Sequence, residues 1–256
     1  MKSFRSLAIA AALSAMSITS AAAATLLYSQ NFESPVGFVN NGYDLSQQSV
    51  NTLYANQPAG FVFSQQYTVE TLLVGGSLAF GTGYEDPQAR AGSYVLGMLS
   101  TVQDDLLGLA FNVGTYDFLN FQFDLSSIDL NCCGAPFVAA GAVPSARISL
   151  YDNPSGAAGL GTGAALASVD VIGLAGPNKY TFNWSNHVVG LDATNSTNGN
   201  VIMRIDLLTG GYAALDNFVI AASDTAGEIP GRVPVPGSLA LLGLGLAGLG
   251  FFRRKR

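Results

Sequence analysis

A chain of 256 residues that is 49% hydrophobic, only 11% charged and carries 30 glycines has the core material for one sizeable domain. It has too little charge for long soluble helices, whose outer faces need it. Two basic residues, Lys2 and Arg5, open the chain and four close it; the five between them (Arg90, Arg147, Lys179, Arg204 and Arg232) face all 17 acidic residues, a net charge of −12. A surface that acidic repels phosphate backbones, which excludes nucleic acid as a partner, and it suits divalent cations or plain colloidal solubility.

Residues 1–24 have the three parts of a secretory signal peptide. Lys2 and Arg5 give a positive start, residues 7–18 an apolar helix too short for an ordinary anchor, and residues 19–24 the small side chains a signal peptidase needs. Cleavage is expected after Ala23 or Ala24, the latter favoured.

Residues 25–224 read as a β-domain. β-type runs recur at 25–33, 61–64, 67–74, 93–100, 118–125, 146–151, 165–172, 180–184, 201–207 and 213–221. In 118–125 the alternation of Leu119, Phe121, Phe123 and Leu125 puts four apolar side chains on one face. Turn chemistry separates the runs, as in Asn40-Asn41-Gly42, Gly81-Thr82-Gly83 and Gly176-Pro177-Asn178. Short strands so punctuated predict an all-β jelly-roll β-sandwich of two antiparallel sheets.

Catalytic motifs are sparse. His187 is the single histidine, which removes a His-rich zinc site, and its Trp184-Ser185-Asn186-His187 context predicts a solvated turn. No Gly-x-Ser-x-Gly elbow, P-loop or dinucleotide fingerprint occurs. A glycosidase needs two carboxylates across a cleft; Glu85-Asp86 and Asp104-Asp105 are adjacent acids, expected in loops to be solvated or cation-binding. Cys132 and Cys133 are vicinal. Export permits a strained bridge between them, pairing with another chain, or two inert thiols. Tyr43, Tyr54, Tyr84, Tyr116, Tyr180, Trp184 and Tyr212 could stack sugars, though core filling is the stronger expectation.

Residues 225–232 form a linker, and 233–256 have a different character. Pro234-Val235-Pro236 precedes an apolar run, 239–252, and Arg253, Arg254, Lys255 and Arg256 end the chain. At ~1.5 Å per residue the run covers ~21 Å, a short transmembrane helix against a ~30 Å hydrocarbon core. The terminal cations hold it in the inner membrane with the body outside. This segment resembles the PEP-CTERM sorting signal processed by exosortase in Gram-negative bacteria with exopolysaccharide systems, with Val235 in place of the usual central glutamate. The resemblance implies an exosortase-type transpeptidase as partner, transient anchoring, and delivery to the cell surface or extracellular matrix.

A second resemblance rests on Phe32-Glu33-Ser34-Pro35 and on 212–220, Tyr212-Ala-Ala-Leu-Asp216-Asn-Phe-Val-Ile220. These are similar to the first and last strands of galactose-binding-like, carbohydrate-module jelly rolls. It implies that the terminal strands are neighbours and that Glu33 and Asp216 ligate a structural calcium, whose hard oxygen chemistry suits carboxylates. Two functions follow: a non-catalytic surface or matrix protein contacting exopolysaccharide or envelope partners, and a secreted carbohydrate-active enzyme using an unidentified carboxylate pair.

Overall fold

The alternation in 118–125 is realised: Leu119, Phe121, Phe123 and Leu125 are each fully buried in a strand spanning Phe118–Ser127. The surroundings of that strand are given by a computed structural model that describes residues 23–39, 49–54, 57, 61–66, 69–75, 84–100, 105–128, 141–178 and 181–231. Its elements in chain order are β1 (Thr25–Gln30), α1 (Val50–Tyr54), β2 (Ser64–Gln66), β3 (Glu70–Leu73), β4 (Tyr94–Leu99) and β5 (Leu106–Asn112), then β6 (Phe118–Ser127), β7 (Ser145–Asp152), β8 (Ala165–Ile172), β9 (Ser185–Asp192), β10 (Asn200–Thr209) and β11 (Tyr212–Ser223).

The strands form two antiparallel sheets. The first runs β3-β4-β11-β6-β9 with β1 also on β11, and the second runs β2-β5-β10-β7-β8. From β4 to β11 the chain changes sheet at every connection except the β7–β8 hairpin. That is a jelly-roll β-sandwich, and it brings the first and last strands side by side, with Thr25 opposite Ala222 and Gln30 opposite Phe218. β1 and β4 share one edge of β11: β4 pairs with its first residues, Tyr212–Leu215, and β1 with its second half.

The core lies between the sheets. Phe121 and Phe123 of the first sheet and Leu109, Ile148, Met203 and Ile205 of the second belong to one buried cluster. The outer face of the first sheet is covered as well, since Asn120, Asp124 and Ser126 on that side of β6 are also buried. Two segments account for part of the cover. Tyr84 stacks on Phe182 at 5.3 Å and Phe182 lies 5.0 Å from Trp184, forming a second apolar cluster with Val95, Leu99 and Tyr212. After β11 the chain folds back: the Asn120 amide donates to Ser223 and the Thr225 carbonyl, the Gly227 N–H donates to Asn120, and Ile229 is buried.

Three sequence expectations are corrected. Of the run 180–184, the described residues 181–184 form no strand; Thr181 makes an isolated parallel bridge to Glu85, because aromatic cover rather than sheet pairing holds that segment. β5 was not anticipated, since an apolar run broken by Gly108 shows no alternation. His187 sits in β9 opposite Phe123, not in a solvated turn; burial pushes its pKa below the ordinary value, with Asp124 pulling more weakly the other way. Among the described residues no helix is long and apolar enough to cross a membrane. The signal peptide up to residue 22, the apolar run 239–252 and Cys132 and Cys133 lie outside the described residues.

Candidate functional site

β1 ends at Gln30, and the chain turns through Asn31 and Phe32 so that Glu33 reaches the start of β4. The Glu33 carboxylate accepts the backbone N–H groups of Ser93 (2.9 Å) and Tyr94 (3.1 Å). It packs so tightly on Gly92, whose φ is +56°, that any Cβ there would collide with it. β11 brings Asp216 to the same place. This carboxyl is 1% exposed; burial pushes its pKa up to about 8, the neighbouring Glu33, Asp124 and Asp86 add to the rise, and the Asn217 N–H, donated at 2.6 Å, opposes it. The two acids predicted from the terminal strands are therefore brought together.

Two further acids, Asp86 and Asp124, act on this pair, and Asp124 was not legible in the sequence. Asp86 caps its own loop by accepting N–H groups from Gln88, Arg90 and Ala91. Asp124 of β6 is nearly buried and pairs with Arg90 at 2.6 Å; it also accepts the amides of Asn186 (2.8 Å) and Asn217 (3.1 Å). The non-glycine residues with positive φ among those described, Phe32 (56°), Ala89 (50°) and Asn217 (53°), all belong to this neighbourhood. Such backbone costs about 1–3 kcal/mol per residue and collects where a site demands an unusual direction of the chain. Among the described residues no three His, Cys, Asp or Glu side chains gather as a metal cage. A hard cation here would draw on Glu33, Asp216 and backbone carbonyls.

The second polar region is the outer face of the second sheet. Arg147 of β7 and Arg204 of β10, two of the few cations of the body, lie here with Ser149, Tyr151, Ser168 and Asp206 around a hollow of about 410 Å³. Arg147 is held by Asp170 through two hydrogen bonds of 2.7 and 2.8 Å. Arg204 stacks on Tyr151, 4.7 Å from the ring centre, and makes one long bond of 3.5 Å to the Leu160 carbonyl. Its Nε is shielded from solvent without any hydrogen-bond partner. The Gly- and Ala-rich loop after β7 lies across this face, and Gly108 of β5 leaves room for the Gly159 carbonyl where a Cβ would clash. Beyond the loop a second hollow of about 650 Å³ is lined by Asn51, Phe63, Ser64, Gln65 and Leu160, among others; the Asn51 Oδ1 is buried there without a partner.

The other sequence candidates are structural. Tyr54, Tyr84, Trp184 and Tyr212 are buried, as core filling predicted, while Tyr43 and Tyr180 lie outside the described residues. Asp105 is not solvated; it is fully buried and accepts the Leu99 N–H at 2.9 Å. Tyr151 was not singled out, since a tyrosine near the end of a strand gives no sign of which face it takes.

Fold and sites together define a jelly-roll sandwich with an acidic pole and a polar outer sheet face. Residues 232–256 match the PEP-CTERM protein-sorting motif, which is a signal for export and surface sorting. No curated protein matches this chain. Solved structures give partial overlays. The K3 cleaved adhesin domain of Lys-gingipain from Porphyromonas gingivalis is 13% identical with a TM-score of 0.37, over 78% of this chain and 99% of that one. The C-terminal family 22 carbohydrate-binding module of xylanase 10B from Clostridium thermocellum is 17% identical with a TM-score of 0.39, over 77% and 93%. A xylan-binding domain from Paenibacillus barcinonensis is 10% identical with a TM-score of 0.37, over 80% and 98%.

Proposed function

We propose that the protein is a non-catalytic cell-surface or extracellular-matrix component that holds exopolysaccharide chains on the outer face of its second sheet. The observation that carries this reading is Arg204: a guanidinium pinned over Tyr151, with a shielded Nε lacking an acceptor, at the floor of an open polar hollow. A buried donor without a partner costs about 1–3 kcal/mol, and a sugar hydroxyl relieves it. The export signal at the C-terminus supports delivery to a compartment rich in such glycans. In this reading a signal peptidase removes the leader at Ala24, an exosortase-type transpeptidase cuts near Pro234–Pro236, and the tail anchors the chain in the inner membrane until then.

Calcium is the cation we propose for Glu33 and Asp216. A buried carboxylate among other acids is relieved by a hard divalent ion as it is by a proton. There the ion is structural: it screens the repulsion and fixes the junction of β1 with β11.

The test is a glycan array probed with and without calcium, followed by a reducing-end assay on each ligand found. The expected result is binding without release of reducing ends, weakened about tenfold or more by Arg204→Ala. Turnover abolished by a single acidic substitution such as Asp206→Asn would replace this reading with that of a secreted carbohydrate-active enzyme.

A further inference from the structure

The opposite sheet has a hollow of its own, about 460 Å³, between β1, β6, β9 and β11, a size typical of small-molecule sites. Its floor is Asp124, whose oxygens are already taken by Arg90, Asn186 and Asn217. The carboxylate is thus neutralised and fixed, and it holds two amides and a guanidinium in defined directions around the cavity. Asn217 is fixed further by its bond to the Arg90 carbonyl at 3.1 Å. It stands where β11 slips against β6 between Asp216 and Val219, an irregularity of the kind that re-aims side chains beside binding sites. Beside Asp124 on the same side of β6, Gln122 also lines the hollow, and its Oε1 is shielded from water without a hydrogen-bond partner.

We infer that this hollow is a second binding site, for a single uncharged sugar residue. An orphaned acceptor calls for a ligand donor, and Arg90, whose side chain is 42% exposed, keeps N–H groups that call for a ligand acceptor. A hydroxyl supplies both, and several hydroxyls on one ring match amides held in fixed directions. Charge sets the class. The carboxylates of Glu33, Asp86 and Asp124 stand around Asp216, so an anionic sugar is repelled, while the Asp124 oxygens already accept from Arg90, Asn186 and Asn217 and leave no open carboxylate edge for an ammonium. The site is on the sheet opposite Arg204 and does not depend on that face binding anything.

Saturation-transfer NMR on the full chain, held in a detergent without sugar headgroups, tests this with glucose, galactose, mannose, glucosamine and glucuronate. At least one neutral hexose should bind. Gln122→Leu, which removes the acceptor with a side chain of similar volume, should weaken it about tenfold or more. Ser29→Trp, at the exposed rim, should do the same without touching the floor, and Arg204→Ala should leave it unchanged. Melting curves of the variants show whether each is folded; if Gln122→Leu is not, Ser29→Trp decides. No hexose binding to the unaltered chain, binding indifferent to the rim and floor variants, or preference for glucuronate or glucosamine would each overturn the assignment. Loss of hexose binding in Arg204→Ala alone would place the sugar on the second sheet and overturn it too.

Discussion

Asp216 must keep a carboxyl group at 1% exposure with three other acids acting on it. Its pKa in the folded chain, about 8, stands well above the ~3.9 of an unfolded aspartate, so the folded chain binds the proton more tightly. The stability contributed by that proton is whole below about pH 4 and is lost as pH rises through about 8. Urea unfolding in calcium-free buffer should show a decline across that window on the order of a few kcal/mol, and Asp216→Asn should flatten it. Millimolar calcium should restore the loss at the neutral end in the unaltered chain and not in the variant. Glu33 and Asp216 were singled out through the resemblance to carbohydrate-module jelly rolls, which implies neighbouring first and last strands, and β1 does pair with β11. Asp124 was not: in an alternating strand it reads as an ordinary outward residue. The left-handed turns at Ala89 and Asn217, which no local residue pattern announces, bring Arg90 and the Asn217 amide to it, and β9 sets Asn186 opposite it.

At the scale of elements, the loop after β7 shows most clearly how a bland stretch acquires a purpose. In sequence, AAGLGTGAALA is a run of small residues. In the structure its backbone lies on the second sheet, with Gly159 over Gly108 and Gly161 against the Tyr151 ring, and it walls one hollow from the next. Side chains would hold it away. Gly108→Val, on a strand where valine is otherwise favoured, should lift the loop. Limited proteolysis should then cut within residues 156–163 much faster, and glycan binding at Arg204 should fall with it, for a loss of stability of about 1–3 kcal/mol. β9 carries the complementary lesson. Its polar opening, Ser185-Asn186-His187, suggests a turn, yet it pairs with β6 residue for residue from Phe118 to Leu125. Tertiary cover supplies what the pattern lacks: Ser185 donates to the Leu125 carbonyl, and its hydroxyl lies 2.8 Å from His187.

Over the whole molecule, the jelly-roll class was readable from strand spacing and turn chemistry, whereas the assignment of strands to sheets was not, because it depends on crossovers distant in sequence. What fastens the two ends of the domain is aromatic. Phe218 of β11 meets Phe32 edge-on at 5.1 Å and Phe121 at 5.0 Å, and Phe32 meets Tyr54 at 5.3 Å, so the turn after β1, β6, β11 and α1 share one cluster. Phe218→Ala should cost about 3–5 kcal/mol, seen as a lower urea midpoint with an unchanged slope if the sandwich remains one cooperative unit.

The chain folding back after β11 sets a length. Among the described residues Ile229 is the last buried one, and the Pro-x-Pro of the sorting motif begins at Pro234, five positions later. Fully stretched, five residues reach at most about 18 Å. While the tail is still attached, a body with a net charge of −12 is thus tethered within about two nanometres of the sorting signal. In the function proposed above, cutting near Pro234 removes that short leash, so the leash itself becomes a control on when the domain can first engage a polysaccharide.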